Sequence, residues 1–219
     1  MNILIKFPTR NRKDKFFKVL NLYYDLLSDL NKTNFLITID EDDIGMNESS
    51  VLSSLDELPN LTYKVGKSKN KIDAVNRDIV TENWDILLLA SDDMIPKVKG
   101  YDEIIREKMI ESFPDTDGVL WFNDGNRSDL NTLSILGLKY YKRFNYIYYP
   151  GYKSLYADNE FMDVANILKK QKYFNETIIH HEHPEFGFGV KDQIHVLNSI
   201  DQTYDANLFY NRKDKNFEL

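Results

Sequence analysis

Asp92 and Asp93 follow the apolar run Ile86-Leu87-Leu88-Leu89-Ala90 with only Ser91 between. Two adjacent carboxylates delivered by a strand into a turn supply the hard oxygen ligands that Mg²⁺ or Mn²⁺ takes, and an ion held there can neutralise a diphosphate. The same pair can also cap the turn that follows. A second acidic group, Tyr156-Ala157-Asp158-Asn159-Glu160-Phe161, stands at the head of an amphipathic pattern. A carboxylate there can take a proton from a hydroxyl nucleophile or cap the helix beginning near Phe161. His180-His181-Glu182-His183 gathers three of the four histidines into four positions. On a strand His181 and His183 share a face and could approach one ion, as zinc ligands or otherwise, although surface histidines have the same pattern.

The elements that must position these groups follow from periodicity. Ile3 to Phe7, Phe35 to Ile39, Leu61 to Val65 and Asp85 to Ala90 are strand-like apolar runs, the first expected to stop at Pro8. Between them, Phe16, Leu20, Tyr23, Leu27 and Leu30 share one face of a helix from about Asp14 to Leu30, and Ile72, Val75 and Ile79 share another. Strands that alternate with helices predict a largely parallel sheet covered on both faces, an α/β fold that binds ligands at the carboxyl edge of its strands. Further on, the pattern predicts helices over 102–113, 161–168 and 194–208, strands over 118–122 and 132–138, a loop over 124–129, and a frayed tail over 211–219.

At 219 residues the chain is expected to form one globular unit. Its 28 basic and 35 acidic residues give a net charge of -7, which argues against general polyanion binding. The absence of cysteine excludes disulfides, thiolate metal sites and a cysteine nucleophile. Ile3-Leu4-Ile5 is too short for a signal-peptide core and no apolar run has the length of a membrane span, so a cytoplasmic protein is expected. Tyr140 to Tyr156 is dense in aromatics; a stacking platform for a ligand, core packing and a homodimer interface all fit that composition.

Ser91-Asp92-Asp93 resembles the DXD-type motif of family 2 GT-A glycosyltransferases, in the variant with a small hydroxyl residue before two aspartates. Pro8-Thr9-Arg10-Asn11-Arg12 resembles that family's first strand-to-helix turn, and Lys71-Ile72-Asp73-Ala74-Val75-Asn76-Arg77 its "K-x-x-A-x-N" helix. The likeness is closest over residues 2–96. It implies a GT-A fold in which about 1–96 bind a nucleotide sugar and about 97–210 bind the acceptor. It further implies that Pro8, Thr9, Arg10, Arg12, Asp40, Asp42, Lys71, Asn76, Arg77, Ser91 and Asp92 line the donor. Asp93 would ligate Mn²⁺ or Mg²⁺, a late histidine, His183 before His181, would complete the coordination, and Trp121, Asn123 and Asp124 would begin the acceptor pocket.

In inverting members an acidic motif such as 156–161 supplies the base, here Asp158 with Glu160 in support. The implied donor is a nucleoside diphosphate sugar, UDP-sugar first. The acceptor is a glycan, a lipid-linked sugar, a protein side chain or a modified nucleobase. A nucleotidyltransferase is the second enzyme reading, although residues 8–12 contain no glycine to cradle a triphosphate. A non-catalytic sugar-binding module is the third, since family members often carry an acidic residue where this chain has Ser91.

Overall fold

The computed structural model of the chain describes residues 1–188 and 200–219. Ile3, Ile5 and Phe7 alternate with Leu4 and Lys6, and β1 (Ile3–Thr9) buries side chains on both faces, as a strand between two helical layers must. β2 (Thr33–Asp40) and β4 (Ile86–Leu89) pair with it in parallel, and β3 (Leu61–Gly66) pairs in parallel with β2. Beyond β4 the sheet continues through β7 (Ile135–Gly137), β6 (Val119–Phe122) and β8 (Gln171–Phe174), in the order β3-β2-β1-β4-β7-β6-β8. β7 runs antiparallel to β4 and β6, while β6 and β8 are parallel. The carboxyl ends of β1, β2, β4 and β6 therefore open on one edge, and the winding reverses between β1 and β4.

One face of the sheet is covered by α1 (Lys13–Asp25), α2 (Ser49–Asp56) and α4 (Tyr101–Ser112), whose Phe16, Leu20, Leu55, Ile105 and Met109 pack on Ile5, Phe7, Ile37 and Leu88. The other is covered by α3 (Lys71–Asn76), α5 (Leu138–Tyr141), α6 (Ala157–Ile167) and α7 (Gln202–Asp214), whose Ile72, Tyr140, Phe161 and Phe209 pack on Leu4, Leu36, Leu87 and Leu136. Among the described residues no helix is long and apolar enough to cross a membrane.

Several expected boundaries shift for identifiable reasons. α1 ends at Asp25 instead of Leu30 because the N–H groups of Ser28 and Asp29 donate to the buried Asp102 carboxylate (2.8 and 3.1 Å), which Arg106 holds at 2.8 Å. Pro8 does not end β1: Pro8 and Thr9 stay in register with Thr38 and Ile39. The expected helix over 161–168 begins four residues earlier, and β7 occupies only the end of the expected 132–138 strand. Among the elements not expected are α2, with few apolar residues among serines, the short α5, and β8, a half-exposed edge strand. Of the helix expected over 194–208, residues 194–199 lie outside the described residues.

The 211–219 segment is not a frayed tail. It contains the end of α7 and a 3₁₀ turn at Asn216–Glu218, fixed by buried Phe217 and by Arg212, which donates to the Phe217 carbonyl (3.1 Å) and to Glu218 (2.9 Å). The aromatic stretch is largely core, with Tyr140, Tyr141, Ile147, Tyr148 and Tyr152 buried.

Candidate active site at the carboxyl edge of the sheet

β4 leaves the core through Ser91-Asp92-Asp93 and continues into β5 (Met94–Pro96), which pairs antiparallel with β9 (Ile179–His181). This short ladder sets His181 opposite Met94 and brings its Nε2 to 3.7 Å from Asp93 Oδ2. Ser91 donates its hydroxyl to the other Asp93 oxygen, and the Glu182 N–H donates to the Asp93 carbonyl at 2.7 Å. On its far side His181 Nδ1 lies 3.6 Å from Asp124 Oδ2. Burial disfavours charge on the imidazole, but the flanking Asp124 and Asp93 carboxylates outweigh it and raise His181 to about 9. Burial likewise opposes ionisation of Asp93, yet His181 and Ser91 hold its carboxyl far below the usual range.

Asp124 is buried and organises its own loop, accepting from the N–H groups of Asn126 (2.9 Å) and Arg127 (2.8 Å) and from the Thr132 hydroxyl (2.7 Å). Gly125 at φ 87° permits the turn, since a Cβ there would fall 2.0 Å from the His180 ring. Asn123 turns back to the Gly125 N–H (2.7 Å) and the Tyr173 hydroxyl (3.3 Å), and Trp121 packs edge-on to Tyr173 at 4.7 Å. Of the expected acceptor trio, Asn123 and Asp124 are thus engaged by the protein itself, Asp124 also standing beside His181, while the Trp121 indole N–H has no hydrogen-bond partner among the described residues.

At the other end of the edge, Arg10 pairs with Asp40 and with Asp42, the latter at 2.7 Å. Asn11, at φ 54°, donates its N–H to buried Asp43 at 2.6 Å, and Arg12 reaches Asp92 at 2.9 Å. Burial raises Asp92, and Arg12 with Lys15 works against that rise. Asp40 keeps one buried oxygen, Oδ1, with no hydrogen-bond partner among the described residues; an Arg77 guanidinium nitrogen lies 3.7 Å from it. That oxygen is an acceptor suited to an N–H or O–H group of a ligand. Arg77 itself closes the ends of β2 and β3, donating to Ile39 O (2.7 Å), Gly66 O (3.3 Å) and Ser68 Oγ (2.8 Å). Asn76 is not free for a donor. Its amide binds the Tyr148 carbonyl (2.7 Å) and accepts from the N–H groups of Ile147 and Tyr148 (3.0 and 3.1 Å), clamping the aromatic stretch to α3.

Asp158 lies in the first turn of α6, behind Tyr156, the N-cap, whose backbone is left-handed at φ 62°. Asp158 is therefore not the cap that the sequence allowed. Burial raises its carboxyl, chiefly against the charge of Lys71 and the Asn159 N–H that it accepts at 3.0 Å. The charge of Lys71, exposed at the start of α3, acts on both Asp158 and Asp93.

Glu160, expected to support the base, is not brought to this edge. Two residues on from Asp158 it points into the core, where Tyr152 donates to it at 2.8 Å and Arg212 binds it through two nitrogens at 2.9 and 3.0 Å, with the guanidinium 3.4 Å over the Tyr149 ring. It fastens α7 to α6. Removing Glu160 leaves the buried Arg212 with only the exposed Glu218 carboxylate as an ionic partner among the described residues, so Glu160→Ala should lower the unfolding free energy by about 3 kcal/mol. Urea denaturation at unchanged m-value reads this directly. A midpoint equal to wild type would show that the pair does not hold the two helices together.

Among the described residues no three His, Asp or Glu side chains converge as a closed metal cage. An ion bound together with phosphates needs only one or two protein ligands, because substrate oxygens and water complete its shell. Asp93 Oδ2 and His181 Nε2, 3.7 Å apart and presenting a hard oxygen and an imidazole nitrogen, fit such a half-site. The imidazole must release its proton to serve as a ligand. His183, the first expected ligand, has its ring 5.4 Å from that of His181 and 6.4 Å from that of Phe186.

No family model matches the chain, and no curated protein matches it. Among solved structures, the mannosyltransferase PcManGT from Pyrobaculum calidifontis, in complex with GDP-Man and Mn²⁺, matches at TM-score 0.60 and 12% identity, over 80% of this chain and 55% of that one. S. aureus TarS 1-349 in complex with UDP matches at TM-score 0.65 and 14% identity, over 82% of this chain and 60% of that one. Its complex with UDP-GlcNAc matches at TM-score 0.63 and 14% identity, over 82% and 58%. The chain spans less than two thirds of the length of each of these proteins. What it shares with them is architecture: a mostly parallel seven-stranded sheet flanked by helices, the GT-A fold of nucleotide-sugar glycosyltransferases.

Proposed function

We propose that the chain is a divalent-metal-dependent glycosyltransferase that moves a sugar from a nucleoside diphosphate donor, a UDP-sugar, to a hydroxyl acceptor with inversion, in the cytoplasm. The observation that supports this most is the pairing of Asp93 with His181 at the strand's exit, with Lys71 acting on both Asp93 and Asp158. In this reading Asp93 and His181 form the diphosphate-binding side and Asp158 the proton-accepting side. PcManGT holds GDP-Man with Mn²⁺ and TarS holds UDP-GlcNAc, both nucleoside diphosphate sugars.

In this reading residues 1–96 hold the donor and 97–210 the acceptor. Asp40 receives a base or ribose group on its unpartnered oxygen, and Arg10 and Arg12 line the turn beside it. Lys71 orients the diphosphate. Asp93 and His181 would hold Mn²⁺ or Mg²⁺, which when bound supplies positive charge to the leaving diphosphate. Asp158, raised by burial, takes the proton of the acceptor hydroxyl as that oxygen bonds to the anomeric carbon and the carbon–diphosphate bond breaks. The acceptor class shares a nucleophilic hydroxyl: a glycan, a lipid-linked sugar, a protein side chain or a modified base.

Two measurements bear on this account. A thermal-shift screen of nucleotide sugars with Mn²⁺ should find a UDP-sugar that stabilises the chain, by about 2.7 kcal/mol at a hundredfold excess over Kd. No stabilisation by any nucleotide sugar would refute the donor class; stabilisation without turnover would instead favour a sugar-binding module. Asp40→Ala should weaken UDP binding at least about tenfold, the worth of a hydrogen bond to a charged acceptor, and slow saturated turnover little. A loss confined to turnover at unchanged UDP affinity would remove Asp40 from nucleotide recognition.

A further inference from the structure

Lys6 sits in the middle of the central strand with no exposed surface, and no step of the proposed reaction uses it. A lysine there is costly unless its hydrogen bonds are satisfied and its charge has a use. Burial pushes it down to about 7, against the nearby Asp78 carboxylate and together with the Arg77 charge. Its ammonium donates to the Thr38 hydroxyl of β2 and, at 2.8 Å, to the Arg77 carbonyl at the C-terminus of α3. The Thr38 hydroxyl passes the connection on to Asp78 Oδ2 at 3.0 Å, and the same oxygen receives the Arg77 guanidinium at 2.7 Å. Asp78 sits at φ 72°, in the left-handed region that Asp adopts more readily than most residues. The guanidinium so fixed crosses the ends of β2 and β3 and stands 3.7 Å from the unpartnered oxygen of Asp40.

We propose that Lys6 is a positioning residue for the nucleoside end of the donor site: through Thr38 and the Arg77–Asp78 pair it holds the Arg77 guanidinium beside Asp40 and keeps one Asp40 oxygen aimed at the nucleoside. The chain of contacts runs from the core to the site without a gap, and each link is a hydrogen bond except the last, which is an ion pair. Lys6→Met removes the ammonium, leaves Thr38 and the Arg77 carbonyl without their donor and frees the α3 terminus to move. Asp40 then loses its fixed neighbour. Of the diphosphate end, Asp93 and His181 have no part in this chain, and Lys71 stands at the opposite end of α3 from the Arg77 carbonyl.

This proposal rests on the donor reading above, and the test separates the two. Binding of UDP and of inorganic pyrophosphate, each with Mn²⁺, is measured by calorimetry for the wild type, Lys6→Met and Thr38→Val, alongside thermal melting. UDP engages both ends of the site, and pyrophosphate only the metal end. The expected result is a loss of UDP affinity of about tenfold or more in Lys6→Met, a smaller loss in Thr38→Val, and pyrophosphate affinity within about twofold of wild type. A purely structural role would weaken both ligands together or neither. Equal UDP affinity in wild type and both variants, or parallel losses of UDP and pyrophosphate, would overturn the proposal while leaving the donor reading intact. A wild type that binds neither UDP nor pyrophosphate would overturn both. If Lys6→Met does not fold, Thr38→Val, which keeps the volume and removes the relay hydroxyl, decides the matter by the same ratio.

Discussion

Asp93→Asn is expected to lower sugar transfer roughly a thousandfold, because charge stabilisation of the leaving diphosphate is worth several kcal/mol and each 1.36 kcal/mol is about a factor of ten. The substitution keeps the side chain's shape and its contact with Ser91, so the fold should persist. It also removes one of the two carboxylates that charge His181, whose upward shift should shrink accordingly. Transfer assays over a range of Mn²⁺ concentrations, with circular dichroism as the folding control, separate the outcomes. Wild-type turnover that still requires the ion would show that Asp93 does not hold it.

Asp158→Asn should reduce transfer by about 10²–10⁴-fold, the usual worth of proton removal in the transition state, with donor and metal affinity little changed. The structure makes this variant cleaner than the sequence suggested. Asp158 is not the N-cap of α6, so no capping bond is lost, and an amide oxygen can still accept from the Asn159 N–H. A matching fall in UDP affinity would show that the residue serves binding and not proton transfer.

The carboxyl edge was legible because it needs only local information. Continuous apolar runs end at Asp40 and at Ser91-Asp92-Asp93, and parallel pairing brings those ends together. What stayed hidden depends on distant partners. Asp158 and Glu160 look alike in sequence, yet two helical positions separate their directions by about 200°. Glu160 is claimed by Arg212, 52 residues away, in a segment whose charged composition suggested fraying. His181 and His183 share strand parity, but β9 ends at His181, so only the register with Met94 reveals which imidazole meets Asp93. Lys6 carried no signal of its role, since a polar residue in a buried strand acquires meaning only from Thr38, Arg77 and Asp78 on neighbouring elements. For the aromatic stretch composition left core packing, a ligand platform and a dimer interface open, and only the packing of its rings between α3, α5 and α6 selects the first.

The most direct test of the central claim is NMR observation of the anomeric carbon and the released nucleotide when the chain is given a UDP-sugar, Mn²⁺ and a hydroxyl acceptor, with a second sample chelated by EDTA. The account predicts release of UDP only with the ion, and a product whose anomeric configuration is opposite to that of the donor. Transfer with retained configuration would remove Asp158 as the base of a single displacement. An intact donor across nucleotide sugars and acceptors, with the ion present, would contradict the assignment of a glycosyltransferase.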